Sequence, residues 1–149
     1  MRRALHPIAG FVAMATIATF WLATAASEIS GNPAFIALVK ALIPWGFFVL
    51  VPALAMTGGT GFALSGGRRG GVLGAKLRRM PIIAANGLFV LIPSALFLAA
   101  KARNFDFDAW FVAVQTVELI AGAANLWLLA LNARDGFRMT KARRAAAQR

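Results

Sequence analysis

The amino-acid sequence predicts an all-α integral membrane protein: a single domain over 1–149, built as a bundle of four transmembrane helices with both ends on the cytoplasmic side. Three observations carry this. Of the 149 residues, 60% are hydrophobic and only 14% are charged, whereas a soluble domain carries about a quarter charged residues. The mean hydropathy is +0.71. Four segments reach the roughly 20 apolar residues that a helix needs to cross a hydrocarbon core about 30 Å thick. The basic residues gather on one side of those segments.

The predicted spans run over Ile8 to Ala26, Ala34 to Met56, Pro81 to Ala100 and Asp108 to Asn132. Pro7, Pro33 and Pro81 stand at or just before three of the starts, where a missing N–H costs no hydrogen bond. Asp106 and Asp108 are available to cap the fourth. Arg2 and Arg3, the apolar stretch and Ala23-Thr24-Ala25 share the three-part layout of a signal peptide. The apolar stretch is longer than the roughly 7–15 residues of a cleaved signal, so the first segment is expected to stay as a span.

Orientation follows from the short connections. Thirteen of the sixteen Lys and Arg residues fall on one side: Arg2, Arg3, the group Arg68, Arg69, Lys76, Arg78 and Arg79, and six in the tail over 133–149. The opposite side has Lys101 and Arg103, offset by Glu28, Asp106 and Asp108. Both termini are therefore expected in the cytoplasm of a bacterial inner membrane. The net charge of +11 is topological on this reading and calls for no nucleic acid; the expected partners are anionic headgroups and another membrane protein, or a second copy of the chain.

Between the second and third spans, Thr57 to Met80 holds eight glycines in TGGTG and SGGRRGG runs. The spacing matches neither a P-loop nor a dinucleotide fingerprint. Arg68, Arg69, Lys76, Arg78 and Arg79 are expected to anchor the segment to anionic lipid and fix its side, with glycine keeping the connection flexible.

The chain has no cysteine and one histidine, which excludes thiolate metal sites, Cys nucleophiles and a centre with two histidines from one chain. Haem held through His6 would need Met14, Met80 or a second subunit for its other ligand, so no cofactor is expected, with haem b the remote exception. No HExxH, Ser/His/Asp or paired-Asp set lies within the spans, so catalysis is not expected.

Polar residues inside the spans are the candidate functional groups. Glu118 sits near the middle of the fourth span, where a carboxylate must be paired, protonated or turned toward a polar interior. Gln115, Glu118, Gly122 and Asn125 follow the helical spacing i, i+3, i+7 and i+10, so they share one face, and that face must point into protein. Lys40 lies about 9 Å inside the outer end of the second span. Three fates are open to it: its stem snorkels outward to the headgroups, it pairs with Glu118 across the bundle, or it finds another partner, Glu28 among them. Asn86, Thr16 and Thr19 add hydrogen-bonding groups that suit helix–helix contact, and Ala15, Thr19 and Ala23 form a ridge of small residues. Pro44, Pro52 and Pro93 interrupt backbone hydrogen bonding and are expected to kink their helices. Trp110, Trp21 and Trp127 fit interfacial belts, and Trp45 is expected to pack against other helices.

Three functions compete on these grounds, one of them a membrane redox protein holding haem b through His6. A non-enzymatic accessory, assembly or structural subunit of a larger membrane complex is favoured by the short loops and the sparse catalytic vocabulary. A small proton-coupled transporter using Glu118 is the alternative; four helices enclose little space, so it would require a homo-oligomer.

Overall fold

The computed structural model describes residues 2–65 and 71–146. They form α1 (Arg2–Ser30), α2 (Pro33–Ser65), α3 (Gly71–Asn86), a π-helical turn (Gly87–Leu91), α4 (Ile92–Arg103) and α5 (Ala109–Ala146). There is no strand among the described residues. Four stretches, Leu5–Ser30, Pro33–Gly61, Arg78–Arg103 and Ala109–Arg138, are long and apolar enough to cross a membrane. The third of them joins α3, the π turn and α4 into one rod.

Each helix outruns the span predicted for it. α2 has 33 residues, or about 50 Å at 1.5 Å per residue, and it continues through Thr57 to Ser65 where a glycine-rich loop was expected. Glycine costs a helix about 1 kcal/mol against alanine but leaves its hydrogen bonds possible, and a long apolar run upstream carries the helix through. The Thr57 and Thr60 hydroxyls turn back onto the Ala53 and Met56 carbonyls. α3 already begins at Gly71; residues 66–70 lie outside those described. Arg68 and Arg69 lie outside the described residues, as does the side chain of Lys76. α5 likewise runs on to Ala146, taking most of the predicted tail into helix.

The turns are built by local chemistry. Gly31 takes a φ of +62° and closes α1 by donating to the Glu28 carbonyl at 3.1 Å, a C-terminal role for which glycine has no steric penalty. Asn32 then caps α2, its Oδ1 accepting from Ala34 N–H at 3.0 Å and Phe35 N–H at 3.3 Å. At the start of α5, Asp108 accepts from Phe111 N–H at 2.9 Å, as predicted. Lys101 spans Asp106 at 2.7 Å and Asp108 at 2.6 Å, so this turn neutralises its own charges. The Lys101 ammonium, followed by the Phe111 amide, holds the Asp108 carboxyl below the usual carboxylate range.

α1 and α2 form an antiparallel hairpin and make the most extensive contact in the bundle; α4 packs on α2, and α5 lies against α1, α3 and α4. α2 and α3 barely touch. The buried side of α1 is Ala9, Ala13, Ile17, Thr24 and Ser27, small residues near helical spacing that let a neighbour approach closely. This is not the predicted ridge: Thr19 is exposed. Thr16 and Thr19 each donate to the carbonyl four residues back, at 2.8 and 2.9 Å, and so need no second helix. One apolar cluster joins Ala13, Ile17, Leu50, Ala53, Ile83 and Leu129 toward the termini. Another joins Ile36, Leu98, Ala102 and Phe111 at the far end.

Outward faces are mainly apolar. Trp45, expected inside, is 69% exposed, its ring 6.1 Å from that of its neighbour Phe48; its helical phase is set by Ile43, Phe47 and Leu50, which take the inner positions. Trp21 shows the reverse. Its indole turns inward and donates to the Leu119 carbonyl of α5 at 2.9 Å; of the three tryptophans expected in belts, Trp110 and Trp127 are exposed.

Candidate functional site

The predicted face of α5 does turn inward. Gln115 and Asn125 are buried, and a Cβ added to Gly122 would lie 2.8 Å from the Trp21 ring. At the centre of this face Glu118 meets Lys40 of α2, with Nζ 2.6 Å from Oε2. The Lys40 side chain has no exposed surface and that of Glu118 retains 12%. Lys40 therefore does not snorkel; an unpaired ammonium this far inside apolar packing would be costly, and a carboxylate within reach offsets part of that cost.

Around the pair lie two further oxygens. Gln115 donates its amide to the same Glu118 Oε2 at 3.3 Å, which leaves its own Oε1 buried without a partner among the described residues. Glu28, from the end of α1, is close enough to interact electrostatically with both Lys40 and Glu118, and its Oε1 is also buried and unpartnered. Three helices thus contribute charge to one place: α1 with Glu28, α2 with Lys40 and α5 with Glu118. The sequence pointed to Lys40 and Glu118; the contribution of Glu28 was only glimpsed there.

A second polar group lies about two turns along α5. Asn86 donates its amide both to the Ala121 carbonyl at 2.9 Å and to Asn125 Oδ1 at 3.0 Å, and Asn125 returns a bond to the Ile83 carbonyl at 3.4 Å. The helix widens directly after Asn86. In the π turn, Ile92 N–H bonds to the Gly87 carbonyl five residues back, an accommodation to Pro93, whose ring would clash with the carbonyl four residues before it. Pro93 thus inserts a wide turn rather than a free kink, and the turn sits opposite Asn125.

At the end carrying the termini, Arg79 does more than mark a side. Its guanidinium donates to Asp135 at 2.6 Å and reaches Asn132 at 3.5 Å, so it ties α3 to α5. Arg78 is exposed, as a headgroup anchor requires. Sequence reasoning missed Asp135; the available signal was that it is the only acid among the basic residues of that end. Arg79→Met is expected to lower the melting temperature of the detergent-solubilised protein by a few degrees, less than loss of the buried pair, because Arg134 lies 3.7 Å from the other Asp135 oxygen. A thermal scan followed by far-ultraviolet circular dichroism checks this.

His6 bridges α1 and α2 at the same end, with Nδ1 3.0 Å from the Thr60 hydroxyl. Met80, one of the methionines considered as a haem ligand, takes an amide contact from Asn132 at 3.5 Å. No group of three His, Asp or Glu side chains is placed to hold a metal ion among the described residues.

Between α1, α2, α5 and the rod of α3, the π turn and α4 runs a cavity of about 520 Å³. It starts beside Gly10, Thr57 and Met80 near the termini and reaches Trp21, Thr24 and Glu118. Its walls are almost wholly apolar. No family model, curated protein or solved structure matches the chain.

Proposed function

We propose that the chain is a multi-pass protein of the bacterial inner membrane, with both termini cytoplasmic, that serves as a non-enzymatic accessory or assembly subunit of a larger membrane complex. The observation that carries this reading is the use made of its intramembrane polar groups. Lys40 is paired with Oε2 of Glu118, and Asn86 and Asn125 bond to each other and to helix carbonyls. Groups that lock helices together in this way set a rigid shape. The outward faces carry Trp45, Phe48 and Phe89 in the open, large side chains suited to lipid or to the helix of a partner. The basic excess at the termini supports the orientation.

Native mass spectrometry of protein released gently from its own membrane tests the reading. Stoichiometric co-purification with a larger complex is expected. A monomer or homo-oligomer that moves a solute by itself would overturn it and favour the second reading, proton-coupled transport through Glu118, for which the position of Glu118 on the cavity wall speaks.

A further inference from the structure

The cavity opens sideways. Val51 of α2 and Leu88 of the π turn both line it, yet they are 48% and 58% exposed, and they flank the seam where α2 and α3 scarcely meet. The π turn on this side begins directly after Asn86, which bonds to Ala121 and Asn125 of α5. From Gly10 to Thr24 the cavity follows α1 for about 21 Å at helical rise, which makes it a slot rather than a chamber. With the membrane placement proposed above, its mouth faces hydrocarbon at a depth where water finds almost no polar partner.

The polar atoms at the slot are not equivalent. Three donors on its wall are used within the protein: Trp21 Nε1 on the Leu119 carbonyl, the Thr57 hydroxyl on Ala53, and the Asn125 amide on Ile83; the Thr24 hydroxyl lies at the deep end beside Glu118. Glu118 differs. Its Oε2 takes both Lys40 and Gln115, while its Oε1 accepts no hydrogen bond among the described residues and is not sealed off by protein. The deep end therefore offers an acceptor and calls for a donor. A charged head would have to be stripped of water along apolar walls, so the donor must ride on a neutral molecule.

We propose that this slot binds a lipid-soluble alcohol from the bilayer, its single hydrocarbon chain lying along the slot and its hydroxyl donating to Oε1 of Glu118. The chemistry is shared by straight-chain and isoprenoid alcohols. Pocket dimensions of this order are those of ordinary small-molecule sites, with apolar walls and few polar groups.

The test uses Trp21, which lines the slot, as the reporter in a full-length variant carrying Trp45→Phe, Trp110→Phe and Trp127→Phe, reconstituted in phosphatidylcholine vesicles. The probe is 9,10-dibromooctadecanol, with its methyl ether as the non-donating control. Saturable quenching of Trp21 by the alcohol is expected, with half-saturation at least ten-fold below that of the ether, and Ala84→Phe at the mouth should abolish the saturable part. Displacement by unlabelled octadecanol or by phytol then distinguishes a straight from an isoprenoid chain, and displacement by neither overturns the site. Quenching that is linear and equal for alcohol and ether, or unaffected by Ala84→Phe, also overturns it. A variant retaining only Trp45 separates this from the membrane placement itself: dibrominated phosphatidylcholine should quench Trp45 whether or not the slot binds, and absence of that quenching would refute the placement.

Discussion

Glu118→Leu should cost the folded bundle about 3–5 kcal/mol, the range found when one member of a buried ion pair is removed. The cost comes from what is left behind. Lys40 has no exposed side-chain surface, so without Glu118 its ammonium must lose its charge, drag in water or force α2 away from α5. Lys40→Met should be damaging in the same range, because Glu118 then keeps only the neutral amide of Gln115 on Oε2. Both variants should denature at lower added sodium dodecyl sulfate than the parent, read by loss of helical circular dichroism from mixed micelles. Unchanged midpoints would mean that the pair is exposed in solution and holds nothing.

The second large effect is expected at Gly46, where α2 crosses α1. A Cβ there would overlap the ring of Phe20. That ring cannot simply retreat: it sits edge-on to Phe47 at 6.2 Å and packs against both the Val39–Ile43–Ala95 cluster and the Ala13–Ile17–Leu50 cluster. Gly46→Ala should therefore destabilise by about 1–3 kcal/mol through overpacking. The same denaturation assay measures it, and adding Phe20→Leu should recover much of the loss by clearing the space. If Gly46→Ala is neutral alone, the α1–α2 contact is looser than described.

These two sites were not equally visible in the sequence. Glu118 announced itself, since a carboxylate amid apolar residues has few fates and the Gln115–Asn125 spacing fixed which way it faces. Its partner stayed open, because a lysine six residues from a span end can reach either headgroups or a carboxylate, and only the packing of α2 against α1 and α4, with α5 lying on both of those, decides. Gly46 gave no signal. Its need depends on where Phe20 of another helix lies, a long-range fact that local pattern does not contain. The same holds for Trp45 and Trp21, which differ in orientation and not in kind: helical phase, set by neighbours, turns one outward and the other onto the Leu119 carbonyl. The glycine-rich stretch after Thr57 was misjudged for a different reason. Glycine lowers helix propensity by a modest amount per residue, whereas continuity with a long helix removes the cost of starting one.

The most direct measurement of the account is a double-mutant cycle across α2 and α5 with Lys40→Met and Glu118→Leu, each variant and the pair unfolded in the same micelles. The double variant is expected to be markedly more stable than the sum of the single losses predicts, since two apolar side chains leave no stranded charge, giving a coupling of about 0.5–3 kcal/mol or above. Strictly additive losses would show that Lys40 and Glu118 do not meet, and would remove the pair as the lock of the bundle.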